Sequence, residues 1–124
     1  MPDIAITDIA RVSRDALRHH GANERAALVM ADAIAWAEAR GNRICGLYYL
    51  ESYCRQLDSG RINRTARPTA NAARASVLKV HADDGFAQVA FDAAFHQAVE
   101  MARETGIVSV NITRAHTCTC LLYT

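Results

Sequence analysis

The strongest constraint on the fold of this chain lies in its second half, where two strand-like runs flank one amphipathic helix. Ser76–Ala82 alternates, with Val77, Lys79 and His81 on one side and Leu78, Val80 and Ala82 on the other. Asp83-Asp84-Gly85 reads as a turn. In the segment that follows, Gln88, Asp92, His96, Glu100 and Glu104 recur every four residues, while Phe91, Phe95, Ala98, Met101 and Ala102 fall on the opposite side, the pattern of a helix with one wet face. Gly106 closes that helix, and Ile107–Thr113 is rich in β-formers. A strand, a helix and a strand in this order fit a crossover between two parallel strands.

The first half is helical. Thr7 is read as the cap of a helix through Ile9, Val12, Ala16 and Leu17, ending at His19-His20-Gly21. Asn23 caps a second helix with Glu24 in its first turn. From Ala26 to Ala39 only Asp32 and Glu38 interrupt the apolar residues, so this helix should leave a narrow strip to water and be covered by its own domain or by a second copy of the chain, in a homodimer. A third helix is expected from near Gly46, with Leu47, Leu50, Cys54 and Leu57 on one face and Tyr48, Tyr49 and Tyr53 elsewhere, stopping before Ser59-Gly60. The fold class expected is mixed α/β: about three helices, then the first strand, helix and strand of a sheet domain.

With 124 residues and a formal net charge of +1, the length suits one ordinary domain and the charge gives no general attraction for polyanions. No run of apolar residues is long enough to span a bilayer, and Met1-Pro2-Asp3 lacks an export signal, so the expected location is the cytoplasm. Cys45, Cys54, Cys118 and Cys120 are then read as reduced thiols. The 13 arginines against the single Lys79, with 24 alanines, point to GC-rich coding DNA rather than to a function.

Between Arg61 and Lys79 lie four arginines, one lysine and no acid, with Pro68 barring a continuous helix. This stretch reads as a solvated linker; the alternative is a small nucleic-acid-binding module using Arg61–Arg74 on phosphates. His116, Cys118 and Cys120 alternate like half a metal site, but no fourth ligand has matching spacing, and no metal is expected. Neither a glycine-rich phosphate loop nor a serine nucleophile elbow occurs.

The run Ala37-Glu-Ala-Arg-Gly-Asn-Arg-Ile-Cys-Gly46 and its continuation Tyr53-Cys-Arg-Gln-Leu-Asp-Ser-Gly-Arg-Ile-Asn63 resemble the amino-terminal region of the malate/L-lactate dehydrogenase family of NAD(P)-dependent oxidoreductases, which does not use a Rossmann domain. Arg67-Pro68, Asp84-Gly85-Phe86-Ala-Gln88, Ala102-Arg-Glu-Thr-Gly-Ile107 and the loop at His116 follow in the family's order, so the resemblance runs from Ile6 to about Thr119. It implies hydride transfer between NAD or NADP and a small 2-hydroxy or 2-keto acid or a related cyclic imine. It also implies a helical region over residues 1–66, the start of a cofactor-binding α/β domain over 67–119, and a larger parent.

Most members of that family carry Ser-His-Gly followed three positions later by Arg, which supply the proton and clamp the substrate carboxylate. Here Gly46 matches, but Ile44, Cys45 and Tyr49 stand at the other three positions. Cys45 and Tyr49 are therefore the catalytic candidates: a thiol or a phenol can donate a proton, but neither grips a carboxylate as a guanidinium fork does. Cys45 equally suits a small buried thiol at a helix start. The loop after the last strand, Thr113-Arg-Ala-His-Thr-Cys-Thr119, stands where the family touches its cofactor. The resemblance assigns that contact to His116 and Thr117, and with them to Cys118 and Thr119. Residues 120–124 leave the family pattern and read like a translated sequencing adapter, so a non-native tail and an inactive fragment are expected.

Overall fold

A computed structural model describes residues 3–116 of the chain. They form two compact units that divide between Arg64 and Thr65.

The first unit is three helices, α1 (Ile6–His19), α2 (Glu24–Ala39) and α3 (Leu50–Asp58). α1 starts earlier than its sequence signal: Ala5 is the cap residue, without a side-chain bond, and Thr7 lies inside the first turn beside Asp8, whose charge suits the helix dipole. α2 starts as its sequence dictates, with the Asn23 side chain accepting from the Ala26 N–H at 2.9 Å. Leu17, Met30, Ile34, Leu57 and Ile62 are fully buried, and each such side chain contributes about 1.5–3 kcal/mol. Arg64 closes the unit: its Nε donates to the Leu57 carbonyl at 2.9 Å, and its own carbonyl accepts from Asn23 at 3.3 Å. α2 buries Ala26, Ala27, Met30, Ala31, Ile34, Ala35 and Ala37, but Leu28 and Trp36 remain about two-fifths exposed.

The third helix departs from expectation. In place of a helix from Gly46 there are two 3-10 turns, Arg43–Cys45 and Leu47–Tyr49, and α3 starts only at Leu50. Gly46 between them is neither helical nor extended, with φ −94° and ψ −134°, which breaks the helical repeat. Tyr53, read as lying off the core face, is buried with Cys54 and Leu57.

The second unit is a three-stranded sheet of β1 (Thr69–Arg74), β2 (Val77–His81) and β3 (Ser109–Thr113), with helix α4 (Ala87–Thr105) between β2 and β3. β2 and β3 are parallel, pairing Val77 with Ser109 through His81 with Thr113, as the crossover requires. β1 lies antiparallel on the other edge of β2 in a hairpin with a bulge between Ala72 and Arg74. The linker reading of Arg61–Lys79 is therefore wrong over β1, whose Thr-Ala-Asn-Ala-Ala-Arg composition carries little β signal and is held by pairing with β2.

The core of this unit sets Leu78, Val80 and Ala82 against Ala90, Ala94 and Ala98 of α4. The face of α4 that packs is thus its alanine stripe with Val89; Phe95, assigned to the apolar side from sequence, is 53% exposed and stacks edge-on with Phe91. Small residues let the helix approach the sheet closely, and that proximity decides which stripe is buried. Gly106 takes φ 81° to end α4, a left-handed conformation that suits glycine.

Candidate functional site

The family-like segment Ile44–Tyr49 is built on the end of α2. The Asn42 carbonyl and side chain both accept from the Cys45 N–H, at 3.2 and 3.4 Å, and this turns the chain so that Cys45 is half-buried with a free thiol. The Glu38 carboxylate reaches under the next turn and accepts from the Leu47 N–H at 2.8 Å. That approach explains Gly46, since a β-carbon there would collide with the Glu38 side chain. Tyr49 is 41% exposed; its ring stacks on Tyr53 at 6.2 Å between centroids and meets Tyr48 edge-on at 5.3 Å. Ile44, where the family has its serine, is exposed.

One helical turn on, Cys54 contrasts with Cys45. It is buried, and burial, reinforced by the Asp58 and Glu51 charges, pushes its thiol above the ordinary range, so it stays protonated. It is a core residue.

His116 lies in the second unit, half-buried, beyond the end of β3. It forms an isolated parallel bridge with Phe86, its N–H donating to the Gly85 carbonyl at 2.8 Å and its carbonyl accepting from Ala87 at 3.0 Å. This puts it beside the first turn of α4, whose cap residue Phe86 offers no side-chain acceptor. A histidine beside a helix N-terminus suits the polar and anionic parts of a dinucleotide. The Asp84 carboxylate, whose charge reaches His116, is forked by Arg114, which holds it below the usual carboxylate range. Thr117, Cys118 and Thr119, the other cofactor candidates, lie outside the described residues, as do Cys120 and the rest of the tail.

Two elements of this arrangement are invisible to pattern reading. In the periodicity Glu38 is a polar interruption of an apolar helix and Asp84 a turn residue; their partners Leu47 and Arg114 are 9 and 30 residues away, spacings without periodicity. Among the described residues no group of three His, Cys, Asp or Glu side chains could hold a metal ion, and no helix is long and apolar enough to cross a membrane. The arginines of the basic stretch are divided: Arg61 and Arg64 fall in the first unit and Arg67 and Arg74 in the second, with Arg64 engaged by Leu57 and Asp58.

The sequence profile of the malate/L-lactate dehydrogenase family matches residues 4–124. A Δ1-pyrroline-2-carboxylate/Δ1-piperideine-2-carboxylate reductase of Pseudomonas putida is 30% identical over 113 residues, covering 91% of this chain and 33% of that protein. A Δ1-pyrroline-2-carboxylate reductase of Ancylobacter novellus is 32% identical over 109 residues, covering 88% and 32%. Among solved structures, the Δ1-piperideine-2-carboxylate reductase of Pseudomonas syringae superposes with a TM-score of 0.89 at 27% identity, over 94% of this chain and 35% of that one. The chain thus spans about a third of the length of the relatives it matches. The family match runs through both candidate segments and not through the basic stretch alone, which removes the reason for a nucleic-acid module: the chain belongs to the malate/L-lactate dehydrogenase family.

Proposed function

We propose that this chain forms part of an NAD- or NADP-dependent oxidoreductase that reduces a small cyclic 2-imino acid or 2-keto acid. What carries this reading is the likeness along nearly the whole chain to two reductases of cyclic imino acids. The bound nicotinamide supplies the hydride, which goes to carbon 2 of the C=N or C=O group, and the nitrogen or oxygen takes a proton.

The chain's own residues serve two ends of that reaction. Cys45, half-buried on its 3-10 turn, holds a proton where the family has its histidine, with the Tyr49 phenol as the second donor. The exposed Tyr48 and Tyr49 rings, backed by the buried Tyr53, replace a guanidinium with an aromatic surface, which suits a substrate ring better than a second charge. His116 orients the cofactor at the start of α4, joined by Thr117, Cys118 and Thr119 on their sequence match. The enzyme is read as a homodimer in the cytoplasm: Leu28, Trp36 and Val12 leave apolar surface for a second copy, and Cys45 and Cys54 are free thiols. Sedimentation of the intact protein as a monomer would count against the dimer.

NADH and NADPH titrated into an isotope-labelled hybrid, in which residues 4–116 replace the matching third of the Pseudomonas syringae reductase, test the reading. The expected result is a saturable movement of the Gly85–Ala87 and His116 amide resonances. Identical spectra with and without either nucleotide would refute it.

A further inference from the structure

Among the described residues, three that are not glycine have left-handed backbone: Asp83 at φ 55°, Asp84 at 56° and Arg114 at 54°. All three sit together, at the ends of β2 and β3. Aspartate tolerates this conformation, but an arginine there persists only where its surroundings hold it. At Arg114 they do. The Thr113 carbonyl accepts from Ala82 at 2.9 Å and the Arg114 carbonyl from Asp84 at 2.8 Å, while His116 and Gly85–Ala87 exchange the two bonds described above. The side chain completes the set, with Nε donating to Asp84 Oδ1 at 2.8 Å and a terminal nitrogen to Oδ2. The pairing of β2 with β3 is thus carried past both strands, through a kink at Arg114, to His116.

We propose that Asp84 and Arg114 are positioning residues: their fork locks the kink and so sets His116 against the start of α4 before a nucleotide arrives. The pair lies in solvent, where an ion pair adds little to stability, so its effect is on geometry, through the planar, two-bond fit of guanidinium to carboxylate. This inference rests on the reading of the His116 loop as a cofactor contact.

The charged form of Asp84 is the one that holds the fork. Arg114, His116 and His81 face it and favour that form, while Asp83 faces Arg114 and is occupied by the Arg67 N–H at 3.1 Å and, through its own N–H, by His81. Because the folded chain lowers the Asp84 titration, the locking effect is complete above the ordinary aspartate range and disappears as pH falls through the lowered value.

The test is amide hydrogen exchange of the whole chain with the variants Asp84→Asn and Arg114→Lys. Asparagine keeps the left-handed backbone without the charge, and lysine keeps the charge without the fork. Both should lower the protection of the His116 amide about tenfold or more while that of Leu78 and Val80 in β2 stays the same. In the native chain, and not in Asp84→Asn, that protection should also fall in a step on acidification. Native-like protection of His116 in both variants overturns the proposal, as does full rescue by lysine. NADPH added to the hybrid reductase, with and without Asp84→Asn, separates the two readings. Loss of His116 protection in Asp84→Asn, in a chain that never binds NADPH, upholds the positioning and sinks the cofactor contact. Equal protection and equal NADPH binding in native and variant chains do the reverse.

Discussion

Between Asn42 and Tyr49 the backbone makes two single 3-10 turns around a non-helical glycine, held from outside by one carboxylate of α2, and leaves Ile44 and Tyr48 largely in water. Between Thr113 and His116 the backbone is bonded step by step to the turn before α4, and an ion pair fastens the kink. The first segment depends on two side chains, Asn42 and Glu38, and the second on a ladder. On the proposed roles, an open frame suits a segment that would admit a substrate, whereas a loop that would present a histidine to a cofactor benefits from being set in advance.

The ladder is the place where a small change should do most harm. At Gly85 a β-carbon would stand 2.6 Å from the Ala66 β-carbon and 3.0 Å from the Ala82 carbonyl, and neither of these is the end of a flexible side chain. Gly85→Ala should therefore destabilise the sheet unit by about 1–3 kcal/mol in urea unfolding followed at Val80. An unchanged midpoint would show that the ladder is looser than described.

The open segment should respond less. Glu38→Ala removes the acceptor of the Leu47 N–H and should cost about 1 kcal/mol in the helical unit, with faster exchange of the Leu47 amide. If that amide stays protected, the turn is held by something other than Glu38.

The smallest effect concerns the two thiols of the helical unit. Iodoacetamide with peptide mapping should modify Cys45 before Cys54, because Cys45 is accessible while Cys54 is buried and kept protonated. Equal rates would erase the distinction between a site thiol and a core thiol.

These features differ in how far they can be read from sequence. The Asn23 cap, the alternation of β2 and the glycine end of α4 are local signals, and each element forms where its signal lies. β1 is not legible, because Ala and Asn acquire strand conformation only from a partner. The buried face of α4 is legible in part: Ala98 and Met101 lie against the sheet as the periodicity predicts, but hydrophobicity also marks Phe91 and Phe95 where close packing selects alanine. The positions Cys45, Tyr49 and His116 come from resemblance; the residues that fasten two of them, Glu38 and the Asp84–Arg114 fork, are contacts across the chain that no spacing rule anticipates.

The proposal that Cys45, Tyr49 and the His116 loop take part in hydride transfer is checked by deuteride transfer. Residues 4–116 would replace the matching third of the Pseudomonas syringae reductase, and the hybrid would be given C4-deuterated NADPH and Δ1-piperideine-2-carboxylate. Deuterium is expected at carbon 2 of the product, with a lower rate in Cys45→Ser, in Tyr49→Phe or in both. A folded hybrid that transfers no deuterium, or one whose rate neither substitution alters, would contradict it.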